Sequence, residues 1–262
     1  MFGTLQASFC CNFSSICQED LNVLIVAVIG YGMGGVMNLV HPRSLAATLE
    51  AVNDALFHHR VIPRKVALDA ARWIATRHGL PRAYANTFAA TDRELAQGPR
   101  LFTGERVTGA AARHILGEES CRALILLNVT DSKVASALAS ASESMRSRLC
   151  QRERSPDFGW YCCCRCSVSL WRHLSVGGLD QQPQRLVSGI KRLRQYRSDD
   201  GRWRAFPFWY TVLALQGIDL REAEEELGHA AKVLARAANS KSNGNGYAKR
   251  RSLIAQRALE RI

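Results

Sequence analysis

The sequence predicts an all-α fold, and three observations carry that expectation. Beyond His41, apolar residues recur at helical spacing nearly everywhere; the segments so marked open at capping residues or Pro and stop at Gly; and no alternating strand pattern follows. The 262 residues are 47% apolar and 22% charged, enough to bury a real core as one or two domains. Collagen-like, disordered and disulfide-knot classes are thereby excluded.

Residues 1–40 read as an apolar N-terminal extension. Residues 21–40 carry no charge, and three readings of them compete. Gly30-x-Gly32-x-x-Gly35 has the spacing of a dinucleotide fingerprint, but the helical pattern of Leu45, Leu49, Val52 and Leu56 follows, where that motif needs alternating strands and helices. The run is about long enough to span a bilayer, and Gly30-x-x-x-Gly34 would let two such helices approach closely. Glu19 and Asp20 before it and Arg43 after it would then leave the bulk of the chain in the cytoplasm. The third reading is an extension that merely precedes the domain.

Residues 41–150 form a helical N-terminal region. Pro63 starts a helix with Val66, Ala70, Trp73 and Ile74 on one side, stopped by Gly79. Thr108 caps a short helix that Gly117 ends after Ile115, and residues 121–127 make another. Asp131 caps a longer one with Val134, Leu138, Met145 and Leu149 on its apolar face. The polar residues 151–156 mark a boundary. In residues 151–239, helices are expected over 167–174, 184–197 and from Pro207 to Leu215, with Asp219-x-x-Glu222 as a capping box for a fourth. That last helix places Leu220, Ala223, Leu227, Ala231 and Leu234 on one face. Residues 240–262 read as a linker followed by a basic amphipathic tail.

Lys and Arg outnumber Asp and Glu by 35 to 23, and 22 of the basic residues lie after position 140. Lys191, Arg192, Arg194, Arg202, Arg204 and Lys249 to Arg251 make that region positive. Yet the charges point around more than one helix face and no nucleic-acid motif appears, which argues against specific nucleic-acid binding. The nine cysteines, at 10, 11, 17, 121, 150, 162, 163, 164 and 166, are odd in number and clumped, so a reducing cytoplasm fits them better than a disulfide framework. The membrane is a partner only if residues 21–40 span it.

Gly189-Ile-Lys-Arg-Leu193, then Arg197, Gly201-Arg-Trp203 and Phe206-Pro-Phe-Trp-Tyr-Thr211 resemble the QW-type repeat of terpenoid cyclases and protein prenyltransferases. A weaker copy runs through Asp157-Phe-Gly-Trp160. The resemblance covers a quarter to a third of the chain and implies that the C-terminal half is built of α/α-toroid-like helix pairs around an apolar cavity. It makes Trp160, Trp203, Phe206, Phe208, Trp209 and Tyr210 candidates for contact with an isoprenoid-like ligand. Where the repeat usually has Gln this chain has Arg197, whose burial would call for a partner, and Asp199 and Asp200 are nearest in sequence.

The cyclases' Asp-x-Asp-Asp acid is missing, since Asp199-Asp200 sits in the repeat turn. The prenyltransferases hold zinc through Asp, Cys and His, and the corresponding donors here are Cys163, Cys166 and His173. Cys166 and His173 are two helical turns apart, about 10 Å, a poor fit to one ion. A buried cluster of thiols is the simpler expectation, with Arg165 or Arg172 available to activate one of them. His114 and His229 read as lone structural or exposed histidines. The function expected is a noncatalytic helical module that binds a protein partner or an apolar ligand; the alternative is an enzyme of prenyl-transfer chemistry with a cysteine-rich site.

Overall fold

Helix α1 (Leu45–Phe57) begins where the Ser44 hydroxyl accepts the Ala47 amide, and Leu45, Leu49 and Val52 turn inward as their spacing predicts. The computed structural model describes residues 37–150, 158–240 and 246–262. The three readings of residues 21–40 fall almost wholly outside these, as does the polar boundary at 151–156. The described residues form ten α-helices and no strand, an all-α fold. None of these helices is long and apolar enough to cross a membrane.

Helix α2 (Arg64–Ala75) follows Pro63 and buries Ala70 and Ile74, while α3 (Asp92–Gln97) opens on a capping box made by Thr91 and Glu94. Helix α4 (Gly109–Leu127) corrects the sequence reading. Where Gly117 is expected to separate two helices, one helix runs through it. A Cβ at 117 would lie 2.3 Å from Thr87 Oγ1, so this glycine admits a neighbouring segment and breaks nothing. Helix α5 (Ser132–Cys150) starts where Asp131 accepts the amides of Lys133 and Val134, and it buries Val134, Met145 and Leu149.

Beyond the undescribed residues come α6 (Cys164–Leu174), α7 (Gln182–Leu193) and α8 (Phe208–Leu215). Helix α7 is shorter than expected, passing into a single 3-10 turn at Arg194–Tyr196. Helix α9 (Arg221–Ala238) opens at Leu220 with no side-chain cap, because Asp219 is exposed and faces Arg261 at 3.6 Å. The expected capping box is therefore not formed. Residues 241–245 of the expected linker are outside the description, and the basic tail is α10 (Gly246–Leu259), which buries Ile254, Ala255 and Ala258.

Helix α4 is the axis of the packing, with α1, α2, α5 and α6 against it. Its Leu116, Cys121 and Leu124 join a core with α1 and α2; its Ala112 and Ile115 join a second core that extends through Trp160, Trp171 and Trp203 to Ala258. Elements on the two sides of the expected boundary thus share one buried cluster. Helix α10 lies on α9 and α8 and reaches back to α1: Arg250 bonds Glu50 at 2.9 Å and Asp54 at 3.1 Å, and Arg257 donates to the Phe57 carbonyl.

The repeat turn is where another sequence expectation changes. Arg197 is one-third exposed and pairs with Glu226 of α9, donating to its two oxygens at 3.0 and 2.9 Å, instead of with Asp199 or Asp200. Arg194 and the Trp203 indole N–H donate to the same buried carboxylate. Asp200 instead accepts from Ser198 and from the Arg202 amide, which ties the turn to itself.

Candidate metal centre

The chemistry gathers where α4 meets the start of α6. His114 and Glu118, one turn apart, share a face of α4. Cys162 and Cys163 end the segment that leads into α6, and Cys166 sits in its first turn. The Ser167 hydroxyl shapes this entry by accepting the Tyr161 amide and donating to the Cys163 carbonyl. Backbone N–H groups at a helix N-terminus favour a thiolate there.

His114 Nδ1 lies 3.9 Å from Cys162 Sγ, and Cys163 Sγ lies 3.4 Å from Cys166 Sγ. The donor atoms of His114, Cys162 and Cys166 all fall within 4.8 Å of one another. The imidazole is fixed by stacking on Tyr84, 3.8 Å between centroids, and by the edge of Tyr161 at 4.3 Å. Behind it, Nε2 faces Glu118 Oε1 at 3.6 Å, and the other Glu118 oxygen meets His173 Nδ1 at 2.5 Å. These groups are wholly buried, and His114 Nε2, Glu118 Oε1 and His173 Nε2 make no hydrogen bond.

The electrostatics follow from this order. Burial alone would raise the Glu118 pKa, but His173 and then His114 outweigh it and hold it down to about 2. Burial would likewise lower the His114 pKa, yet the neighbouring Cys162 and Glu118 outweigh it and raise it. Hydrogen bonds from Cys163, Cys166 and His114 pull the Cys162 thiol far below its ordinary range, while Cys162, Cys163 and burial push Cys166 far above it.

The next residue along each helix makes a second pair. Glu119 accepts from Arg172 at 2.5 Å and from the Tyr210 hydroxyl at 2.5 Å, so Glu118 meets His173 and Glu119 meets Arg172 where α4 packs on α6. Burial would raise the Glu119 pKa as well, but Arg172 and then Arg122 outweigh it and hold it down to about 2.

Of the donors expected from sequence, Cys163 and Cys166 come together, whereas His173 turns away from the thiols to serve Glu118. His114 and Cys162 take its place. The aromatic candidates pack on one another: Trp160 and Phe206 cluster with Trp171 and Tyr196, and Trp203 stacks on Phe208. Trp209 is half-buried with its amide donating to Glu105, and Tyr210 belongs to the Glu119 network. Comparison with known protein families, curated proteins and solved structures found no match.

Proposed function

We propose that the chain is a noncatalytic helical module in which a zinc ion, held by His114, Cys162, Cys163 and Cys166, ties α4 to α6. One observation carries the reading: the donor atoms of His114, Cys162 and Cys166, from two separate elements, lie within 4.8 Å of one another, and Cys163 Sγ lies 3.4 Å from Cys166 Sγ. Zinc–sulfur bonds of about 2.3 Å give a tetrahedron whose edges are about 3.8 Å, close to the separations of 3.9 Å for His114–Cys162 and 3.4 Å for Cys163–Cys166. Three thiols select zinc over hard cations, and Glu118 stands behind His114 as an outer carboxylate at 3.6 Å. Four protein donors leave no position for a substrate, which is the arrangement of a structural site.

The resemblance to toroid repeats remains part of this reading. It is supported by the burial of Trp160 and Trp203, each just ahead of a core helix, and the module would present a binding surface for a protein or an apolar ligand. The full chain, purified without chelator, is expected to carry about one zinc by elemental analysis and to give the charge-transfer spectrum of tetrahedral thiolate when loaded with cobalt. Cys166→Ser and His114→Gln are expected to lose both. Metal-free protein that takes up neither ion would refute the zinc site.

A second reading rests on the same relay read outward from the thiol. Cys162 is exposed, beside His114 and then Glu118, an order suited to an activated nucleophile. Alkylation by iodoacetamide separates the two. Under the zinc reading, chelation speeds modification of Cys162; under the nucleophile reading, modification is fast without chelation and slows in His114→Gln.

A further inference from the structure

On the far side of the Glu119 pair, the polar network holds more positive charge than the chain neutralises. Arg172, only 5% exposed, bonds Glu119 and donates to Asn53 Oδ1 at 3.3 Å. Arg122 donates to the same Asn53 oxygen at 2.7 Å and lies 4.0 Å from Glu119. Two guanidinium groups therefore share one carboxylate. Asp54 is engaged by Arg60 and Arg250, and Glu118 by His173. The buried Nε of Arg122 has no partner. Burial and then repulsion from Arg172 lower the Arg122 pKa to about 10, so the site disfavours its own second cation.

Both guanidinium groups open onto a cavity of about 320 Å³ between α1, α4, α6 and α8. Phe57, Phe102, Leu126 and Leu213 supply its apolar lining. Apolar walls with a few convergent polar groups are the usual form of a small-molecule site. Phe57 and Phe102 are held in place from behind, each with an arginine of α10 over its ring at 4.1 and 4.0 Å.

We infer that this cavity binds a small amphiphile with one negative charge, its carboxylate against Arg122 and Arg172 and its hydrocarbon chain along Leu126 and Leu213. The carboxylate balances the second guanidinium, and the chain displaces water from the apolar lining. The reading is independent of the zinc site and stands if that site fails.

Calorimetric titration of the full chain with octanoate, octan-1-ol, octylammonium and acetate tests it. Octanoate is expected to bind at least about tenfold more tightly than each of the other three, because it alone has both charge and chain. Arg122→Gln should weaken octanoate by about tenfold or more while leaving octanol unchanged. Since loss of Arg122 also touches the Glu119 network, Leu126→Glu serves as a second variant: it places a carboxylate at the mouth of the cavity, and octanoate should weaken there too. Undetectable octanoate binding overturns the proposal. So does octanol or acetate binding as tightly as octanoate, or octanoate binding unchanged in both variants.

Discussion

Two places in this molecule bury a glutamate among cations, and they do it differently. At Glu226, both carboxylate oxygens are used: Oε1 accepts from Arg194 and Arg197, and Oε2 from Arg197 and the Trp203 indole. Each arginine there is partly exposed and keeps contact with water. Along α4 and α6 the count does not close. His114 Nε2, Glu118 Oε1, His173 Nε2 and Arg122 Nε are all buried without a hydrogen bond. A buried polar group left unpaired costs about 1–3 kcal/mol, so a saturated cluster is explained by architecture and an unsaturated one asks for a ligand.

The sharpest way to break that comparison is to remove Glu226. Glu226→Ala strands the Trp203 N–H inside the core and leaves two guanidinium groups facing each other, and the variant should lose about 3 kcal/mol in urea unfolding. Zinc content and octanoate binding should be untouched. If either changes with the fold intact, the two regions are not separate in function.

Acid should reveal the other side. Glu119 has a folded pKa of about 2 against an ordinary 4.5, a depressed value, so its contribution to stability is complete above about pH 4.5 and is lost as pH falls toward 2. Acid melts of Glu119→Gln, which has no carboxylate to titrate, should be flatter than wild type across that window. Parallel curves would place the ionisation elsewhere.

Arg122→Gln is expected to cost less than about 1 kcal/mol, since it removes a cation that the network disfavours. Asp199→Asn should fall within about 0.5 kcal/mol of wild type, because Asp199 is exposed and makes no ion pair among the described residues. A larger loss there would return Arg197 to the aspartate partner that its sequence position suggests.

What the sequence made legible was the apolar stripe. Helices α1, α2, α5 and α8 lie close to where spacing and capping put them, because their periodicity depends only on neighbours three and four residues away. It misled wherever a charge was inside the stripe. Gly117-Glu118-Glu119 looks like a break in an apolar pattern until Arg172 and His173 are known to face it. Glu226 looks like the polar flank of Leu227, although it sits on the buried side with Ala223 and Ala230. In both cases the partner is remote in sequence, and local spacing carries no trace of it. The metal donors divide the same way. Cys163 and Cys166 are three residues apart and visible, whereas His114 comes from 48 residues upstream of Cys162.

The grip of α10 on α1 sets an order on synthesis. Arg250 meets Glu50 across 200 residues of chain, and Arg257 meets the Phe57 carbonyl across another 200. At about 5–20 residues added per second, α1 has left the ribosome roughly 10 to 40 s before its partner exists. During that interval Phe57 and Phe102 lack the arginines that later cover them, so the cavity they line is completed only once α10 is in place. The nascent chain must carry an uncovered apolar face for that time, and the step that hides it is the arrival of α10.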